Sequence, residues 1–192
     1  NYAGKYYFTG SLRTDGSSRF VNDKWGVFGS VGASWVVSEE DLMQNSFISY
    51  LKAKASWGVT GDQDGALNTS GFDIFNANFI GGAGAIDLRL AGNPDLTWET
   101  TRMFQTCIEL GVGNYLDANF DYYIRNTDNL FFNRRLGPSS GLSSILVNDG
   151  EVQYKGFEFD VTAHLINKEN FKLDLSLNGE LLSNEMKTMP LD

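Results

Sequence analysis

The chain has 192 residues, enough for one domain with a real core, and its formal charge of −9 excludes a surface built to hold nucleic acid, which needs clustered Lys and Arg. Aromatic residues are 14 %, with 21 Gly and only 3 Pro, a mixture that favours strands and turns over helices. The single cysteine, Cys107, excludes an internal disulfide framework, and no run of about 18 apolar residues exists to cross a membrane as a helix, which leaves crossing by strands open.

The first strand is read over about 3–14, with Tyr6, Phe8 and Leu12 on one face and Tyr7, Thr9, Ser11 and Arg13 on the other. Asp15-Gly16-Ser17-Ser18 breaks it, and a polar loop runs to Lys24. A second strand, about 25–36, sets Trp25, Val27, Val31, Ala33 and Trp35 against Gly26, Ser30, Gly32 and Ser34. Ser38-Glu39-Glu40-Asp41 reads as a short helix start, with Ser38 as cap and Asp41 three residues on. Leu51 to Thr60 alternates most cleanly, its Leu, Ala, Ala, Trp and Val set against Lys, Lys, Ser, Gly and Thr. A long irregular stretch, 61–97, follows and carries Phe72, Phe75 and Phe79.

A fourth strand, about 98–112, reaches a two-residue turn at Gly113-Asn114, and a fifth sets Leu116, Ala118, Phe120, Tyr122 and Ile124 against Asp117, Asn119, Asp121, Tyr123 and Arg125. After a loop over about 126–150, a sixth strand runs over about 151–166, with Phe157, Phe159, Val161, Ala163 and Leu165 opposite Glu158, Asp160, Thr162 and His164. Asn167–Asn170 turns the chain into a seventh strand over about 171–178, beyond which the pattern fades.

Several of these strands are about twice the usual five or six residues, and they match the nine to eleven that a membrane-crossing strand needs. Long connections (16–24, 61–97, 126–150) alternate with short ones, the plan of an outer-membrane barrel, and Trp25, Trp35, Trp57, Trp98, Tyr115 and Phe171 stand near strand ends where interfacial girdles sit. The polar face repeatedly carries Lys, Asp, Glu and Asn, as a watery lumen would. The expected fold class is therefore all-β: an antiparallel up-and-down transmembrane β-barrel segment of about seven strands. The alternative is a soluble β-sandwich, an adhesin or carbohydrate-binding module with the same loops as binding edge.

The stretch Lys5-Tyr6-Tyr7-Phe8-Thr9-Gly10-Ser11-Leu12-Arg13-Thr14-Asp15-Gly16-Ser17-Ser18-Arg19-Phe20 resembles a motif of the SusC/RagA-like TonB-dependent transporters of Bacteroidota. So do Trp25-Gly26-Val27-Phe28-Gly29-Ser30, Trp35 with Ser38-Glu39-Glu40, and Leu51 to Gly61. Asn93-Pro94-Asp95-Leu96-Thr97-Trp98-Glu99, Asp121-Tyr122-Tyr123 and Lys155-Gly156-Phe157-Glu158 follow in the family's order. Two departures stand out: Gly29 where the family often has Pro, and a stretch from Gly61 to Leu90 that matches no motif.

The resemblance implies that residues 1–192 are part of a larger, 22-stranded barrel, with the plug, the TonB-contacting box and the final strands outside this chain. It implies a multi-pass protein in the outer membrane of a Gram-negative bacterium, surrounded by outer-membrane lipid. Such a protein imports oligosaccharides or peptides beneath a SusD-like surface lipoprotein, driven through TonB.

No catalytic residue, metal site or cofactor is assigned. Glu158 and Asp160 could mimic a glycosidase pair, but solvated strand carboxylates are far commoner. Asp62-Gln63-Asp64-Gly65 lacks the full calcium-loop pattern, and His164, the only histidine, reads as a lining residue. The candidate ligand-binding residues lie near the long-loop rim, where aromatic faces and planar hydrogen-bonding groups grip sugars or peptides. They are Phe72, Phe75, Phe79, Arg89, Asn93, Asp95, Glu99, Arg125, Asp128, Arg134 and Arg135.

Overall fold

The alternation along the chain builds a single antiparallel sheet of seven strands, in the order β1-β2-β3-β6-β7-β10-β11. The computed structural model describes residues 1–44 and 46–189. The strands are β1 (Tyr6–Gly16), β2 (Trp25–Val36), β3 (Ile48–Asp62), β6 (Glu99–Val112), β7 (Leu116–Asp128), β10 (Glu151–Lys168) and β11 (Phe171–Thr188). Two small hairpins stand outside it: β4 (Ile74–Ile80) with β5 (Ala83–Leu90), and β8 (Phe131–Arg135) with β9 (Ser144–Asn148). A sandwich needs two sheets packed face to face. Among the described residues the large sheet is accompanied only by two two-stranded hairpins and not by a second sheet of comparable size, so the sandwich alternative is set aside.

Every neighbour in the sheet is also the next strand in sequence once the two hairpins are left out, which makes this an up-and-down meander. Its register puts Phe8, Ala33, Ala55, Thr106, Tyr122, Phe157 and Leu181 in one row across all seven strands. Because side chains alternate, that row fixes the two faces. One face is apolar and open, carrying Phe8, Leu12, Trp25, Val31, Trp57, Phe104, Ile108, Leu175 and Leu177. The other carries Thr9, Ser30, Ser56, Gln105, Asp121, Glu158 and His164.

Several local readings change. Residues 37–43 form two short 3-10 turns, Val37–Glu39 and Asp41–Met43; Ser38 lies inside the first and no side chain caps either. The competing demand is a tether: Glu40, between the two turns, binds Lys5, Tyr6 and Trp35. The turn after β6 takes three residues, Gly113 to Tyr115, with the Tyr115 N–H donating to the Val112 carbonyl at 3.0 Å. The stretch 61–97 is not irregular throughout, since β3 runs to Asp62 and the β4–β5 hairpin fills its middle. The loop over 126–150 likewise holds the β8–β9 hairpin. The seventh strand continues past residue 178 to Thr188, because the ladder with β10 persists after the apolar pattern stops.

The buried core sits where the long loops meet the sheet. Phe20 and Leu96 are fully buried, and Phe28, Ala66 and Trp98 complete the cluster, with Val59, Phe131 and Leu146 packed against it. Phe28 meets the Trp98 ring edge-on, with centroids 5.5 Å apart. Gly61 is required beneath it, since a Cβ there would lie 2.0 Å from the Phe28 ring.

Candidate functional site

The polar face divides into two sectors. On β1, β2 and β3 many of its positions are small, Thr9, Ser11, Ser30, Gly32, Ser34, Ser56 and Gly58, while β6 adds the longer Met103, Gln105 and Glu109. Two adjoining hollows of about 440 and 430 Å³ lie there and share Thr9, Gly32, Ser56 and Gln105. Lys54 pairs with Glu109 below, and Gln105 Nε2 donates to Asp121 at 3.1 Å. On β7, β10 and β11 the face is acidic, with Asp121, Glu158, Asp160 and Glu180 lining a third hollow. The Tyr123 hydroxyl donates to Glu180 at 2.9 Å, and its ring lies so close over Gly156 that a Cβ there would sit 2.3 Å from it.

His164 lies at the short-turn end of this sector, Nδ1 2.8 Å from Asp174 and Nε2 3.0 Å from Asp117. With a carboxylate on each nitrogen, both hydrogen bonds form only when both nitrogens carry a proton. The same face carries Glu158 and Asp160, as alternation required.

The long-loop rim is fastened by polar groups. Asn148 Oδ1 accepts the Thr97 N–H at 2.8 Å, and Nδ2 donates to the carbonyls of Thr97 at 2.9 Å and Asn129 at 2.8 Å. Its side-chain amide thus pairs with Thr97 as a neighbouring strand would. Arg19 Nη1 donates to the Gln63 and Ala66 carbonyls at 2.8 and 3.0 Å, tying the first long loop to the second. In the sequence Arg19 stands only as part of the Lys5–Phe20 motif, without a role, and Asn148 is not singled out. The only signal was composition, an Asn within a turn-like Val-Asn-Asp-Gly, because the partner of a side-chain amide is a tertiary fact.

The eleven candidate residues separate into three groups. Asn93, Asp95, Glu99, Asp128 and Arg134 hold the rim together. Asn93 Nδ2 donates to the Leu146 carbonyl at 3.0 Å, and Asp95 Oδ1 accepts from Asn22 at 2.9 Å. Glu99 Oε1 accepts the Phe131 N–H at 2.7 Å. Asp128 pairs with Arg102 and Arg134 with Asp149. A second group sits on or beside the β4–β5 hairpin: Phe75 and Phe79 share one exposed face with Ile86, while Phe72 and Arg89 flank the hairpin's base. The third group is Arg125 and Arg135. Arg125 lies on the polar face over the Tyr154 ring, 4.5 Å from its centroid, and Arg135 is exposed at the end of β8. The structure therefore brings the first group together as architecture and leaves the hairpin aromatics and Arg125 open to solvent.

At the opposite end, Glu40 fastens the 37–48 connection to the sheet. Its Oε1 accepts from the Tyr6 hydroxyl at 2.7 Å and the Trp35 indole at 3.1 Å, and its Oε2 from Lys5 at 3.2 Å. The Tyr6 hydroxyl, then the Trp35 N–H and Lys5, hold the Glu40 carboxyl below the usual glutamate value. The same hydrogen bond raises Lys5.

The apolar face has a further geometric property. From the row through Phe8 and Leu181, apolar side chains extend toward the long loops as far as Trp25 on β2, Val59 on β3, and Phe104 and Ile124 on β6 and β7. On β10 and β11 they stop at the row itself, and Lys155 and Ser183 come next. Toward the short turns the order reverses: the band ends at Tyr6 and Trp35 on β1 and β2 but runs to Ala163 and Leu173 on β10 and β11. The band slides by about one residue per strand. With a rise of about 3.3 Å per residue and a strand spacing of about 4.8 Å, it crosses the strands at roughly 35° from their perpendicular.

The sequence profile described as "TonB dependent receptor-like, beta-barrel" matches residues 1–184. The chain belongs to the TonB-dependent receptor β-barrel family. It is 34 % identical to TonB-dependent receptor P39 of Formosa agariphila over 195 residues, covering 97 % of this chain and 18 % of that protein. It is 29 % identical to TonB-dependent receptor SusC of Bacteroides thetaiotaomicron, covering 97 % of this chain and 20 % of SusC. The RagAB peptide importer in its "open-open" state superposes with a TM-score of 0.89 at 26 % identity, over 98 % of this chain and 21 % of the RagAB chain. Its "closed-closed" state gives 0.86 over 96 %. The chain therefore spans about a fifth of the length of these relatives. TonB-dependent receptors are transporters and not enzymes, and Glu158 and Asp160 stand on the polar face of β10.

Proposed function

We propose that these residues form wall and rim of an outer-membrane TonB-dependent importer of oligosaccharides or peptides. The polar face lines the lumen, the apolar face meets lipid, and strands outside this chain pair with the free edges of β1 and β11. The plug, the TonB contact and the final strands lie elsewhere in the same polypeptide, and a SusD-like lipoprotein partners the long-loop rim. The observation that carries the reading is the slanted apolar band. A membrane barrel's strands tilt by about 35–45°, so a horizontal slab of lipid cuts them along such a slant. On β7 the apolar positions run from Leu116 to Ile124, about the length a crossing strand needs. The names of the relatives support import, since SusC is a TonB-dependent receptor and RagAB a peptide importer.

The test is made on the native source. Peptides of this segment are located by mass spectrometry in fractionated membranes, and the polypeptide carrying them is sized. The expected result is a detergent-requiring outer-membrane protein several times longer than this chain, co-purifying with a lipoprotein. A water-soluble species of about this length overturns the reading.

A further inference from the structure

Arg125 and Lys52 are cations of the polar face that rest on a ring without a carboxylate partner among the described residues, and of the two only Arg125 carries a planar guanidinium. Arg13 pairs with Asp15 at 3.0 Å and Lys54 with Glu109, and Lys52 lies 5.7 Å from the Tyr7 ring centroid. The Arg125 guanidinium carbon lies 4.5 Å from the ring centroid of Tyr154, its partner across the β7–β10 ladder, and no carboxylate comes within ion-pair distance of it among the described residues. A guanidinium held on a ring keeps its hydrogen-bonding fork free while losing less freedom when it binds. That fork matches the paired oxygens of a carboxylate or sulfate.

Beside it lies the 430 Å³ hollow, mostly apolar in surface, where Val31, Trp57 and Met103 are interspersed with the polar groups of Thr9, Ser30, Ser56, Thr60, Thr101 and Gln105. Short hydroxyls and an amide can both donate and accept, which suits the hydroxyls of a sugar. The acidic sector does not cancel the cation. Asp121, Glu158 and Glu180 share a row four residues from Arg125 and Tyr154 along the strands, about 13 Å away, which exceeds the screening length of about 8 Å in physiological salt; Asp121 does reach the edge of the hollow, accepting from Gln105 at 3.1 Å.

We propose that Arg125 on its Tyr154 platform, with the hydroxyl-lined hollow beside it, is a lumenal subsite for the oxyanion of an acidic saccharide, a uronate carboxylate or a sulfate ester. The inference rests on the import reading and narrows its substrate class.

The experiment uses the full-length native protein purified from outer membranes, with calorimetric titration of an oligogalacturonate, a sulfated carrageenan oligosaccharide and a neutral malto-oligosaccharide. An acidic probe binds at least about tenfold tighter than the neutral one, and whichever binds identifies carboxylate or sulfate. Arg125→Gln removes that preference and flattens its salt dependence while the barrel's thermal midpoint is unchanged. Arg125→Lys, which keeps the charge and loses the fork, falls between. Tyr154→Leu weakens acidic binding less than Arg125→Gln.

Equal binding of acidic and neutral probes by the wild type, or undiminished acidic binding by Arg125→Gln, overturns the subsite. A wild type that takes up peptides and none of the three saccharides also overturns it, while leaving the import reading standing. Failure to find the protein in the outer membrane would instead remove the import reading itself.

Discussion

Asn148 uses its whole side chain to stand in for a missing strand. Three hydrogen bonds to Thr97 and Asn129 satisfy backbone groups that face no ladder partner. Removing the amide leaves those groups beside the buried Leu96–Trp98 core, where an unpaired polar group costs about 1–3 kcal/mol. Asn148→Ala is therefore expected to loosen the rim by more than one ordinary hydrogen bond. Asn148→Asp keeps the acceptor for the Thr97 N–H and sets an oxygen against two carbonyls, and it should do no better. Hydrogen exchange at the Thr97 amide reads this directly. Exchange accelerated by tenfold or more in both variants is expected, and unchanged protection would show that the core alone holds the rim. Gly61 poses the converse demand, because its missing side chain makes room for the Phe28 ring, and nothing in a local Val-Thr-Gly-Asp stretch announces that.

At the scale of elements, legibility followed periodicity. The strands could be read because alternation is a local property, and β3 and β7 carry it through the membrane-length part of their run. β11 faded at residue 178 because beyond Leu181 its outward face turns polar, and only the ladder with β10 reveals the rest. The β4–β5 and β8–β9 hairpins were hidden for a related reason, being short and glycine-punctuated. The rim carboxylates and amides were visible as residue types, yet their use as braces depended on partners as far away as the 73 residues between Asn22 and Asp95.

The helix expected at Ser38 gave way to a tether. Glu40, at the junction of the two 3-10 turns, binds Tyr6, Trp35 and Lys5 instead of the turn's own amides. Because these bonds favour the ionised carboxylate, Glu40 titrates lower in the folded protein than in the unfolded chain. The tether's contribution is thus complete above the ordinary glutamate value of about 4.3 and is lost as pH falls through the lower, folded value. The Trp35 indole N–H resonance should move upfield across that acidic window. In Glu40→Gln it should stay fixed. A Trp35 signal that titrates equally in the variant would assign the change to another group.

The whole sheet is a slanted wall with two unlike faces, and that asymmetry yields the sharpest test of how it sits. Leu177 and Ser176 are neighbours on β11. Leu177 points out beside Val161, while Ser176 points to the other face, its Oγ 2.9 Å from Thr162 Oγ1. In a soluble protein, replacing either exposed residue by Arg would cost little. In a tilted barrel the two differ in kind. Leu177 falls near the middle of the apolar run on β11, between Leu173 and Leu181, where an Arg facing lipid costs about 2–4 kcal/mol. Ser176 faces water and the acidic sector, where an added Arg finds carboxylates to pair with. Leu177→Arg should sharply reduce the folded, heat-resistant outer-membrane form, and Ser176→Arg should leave its amount near that of the wild type. Shifting the Arg to Glu185, beyond the apolar band on the same outward face, should restore folding, because the band rather than the face as such sets the penalty. Equal tolerance at Leu177 and Glu185 would mean that no lipid slab crosses β11 there, and the slant of the apolar band would need another cause.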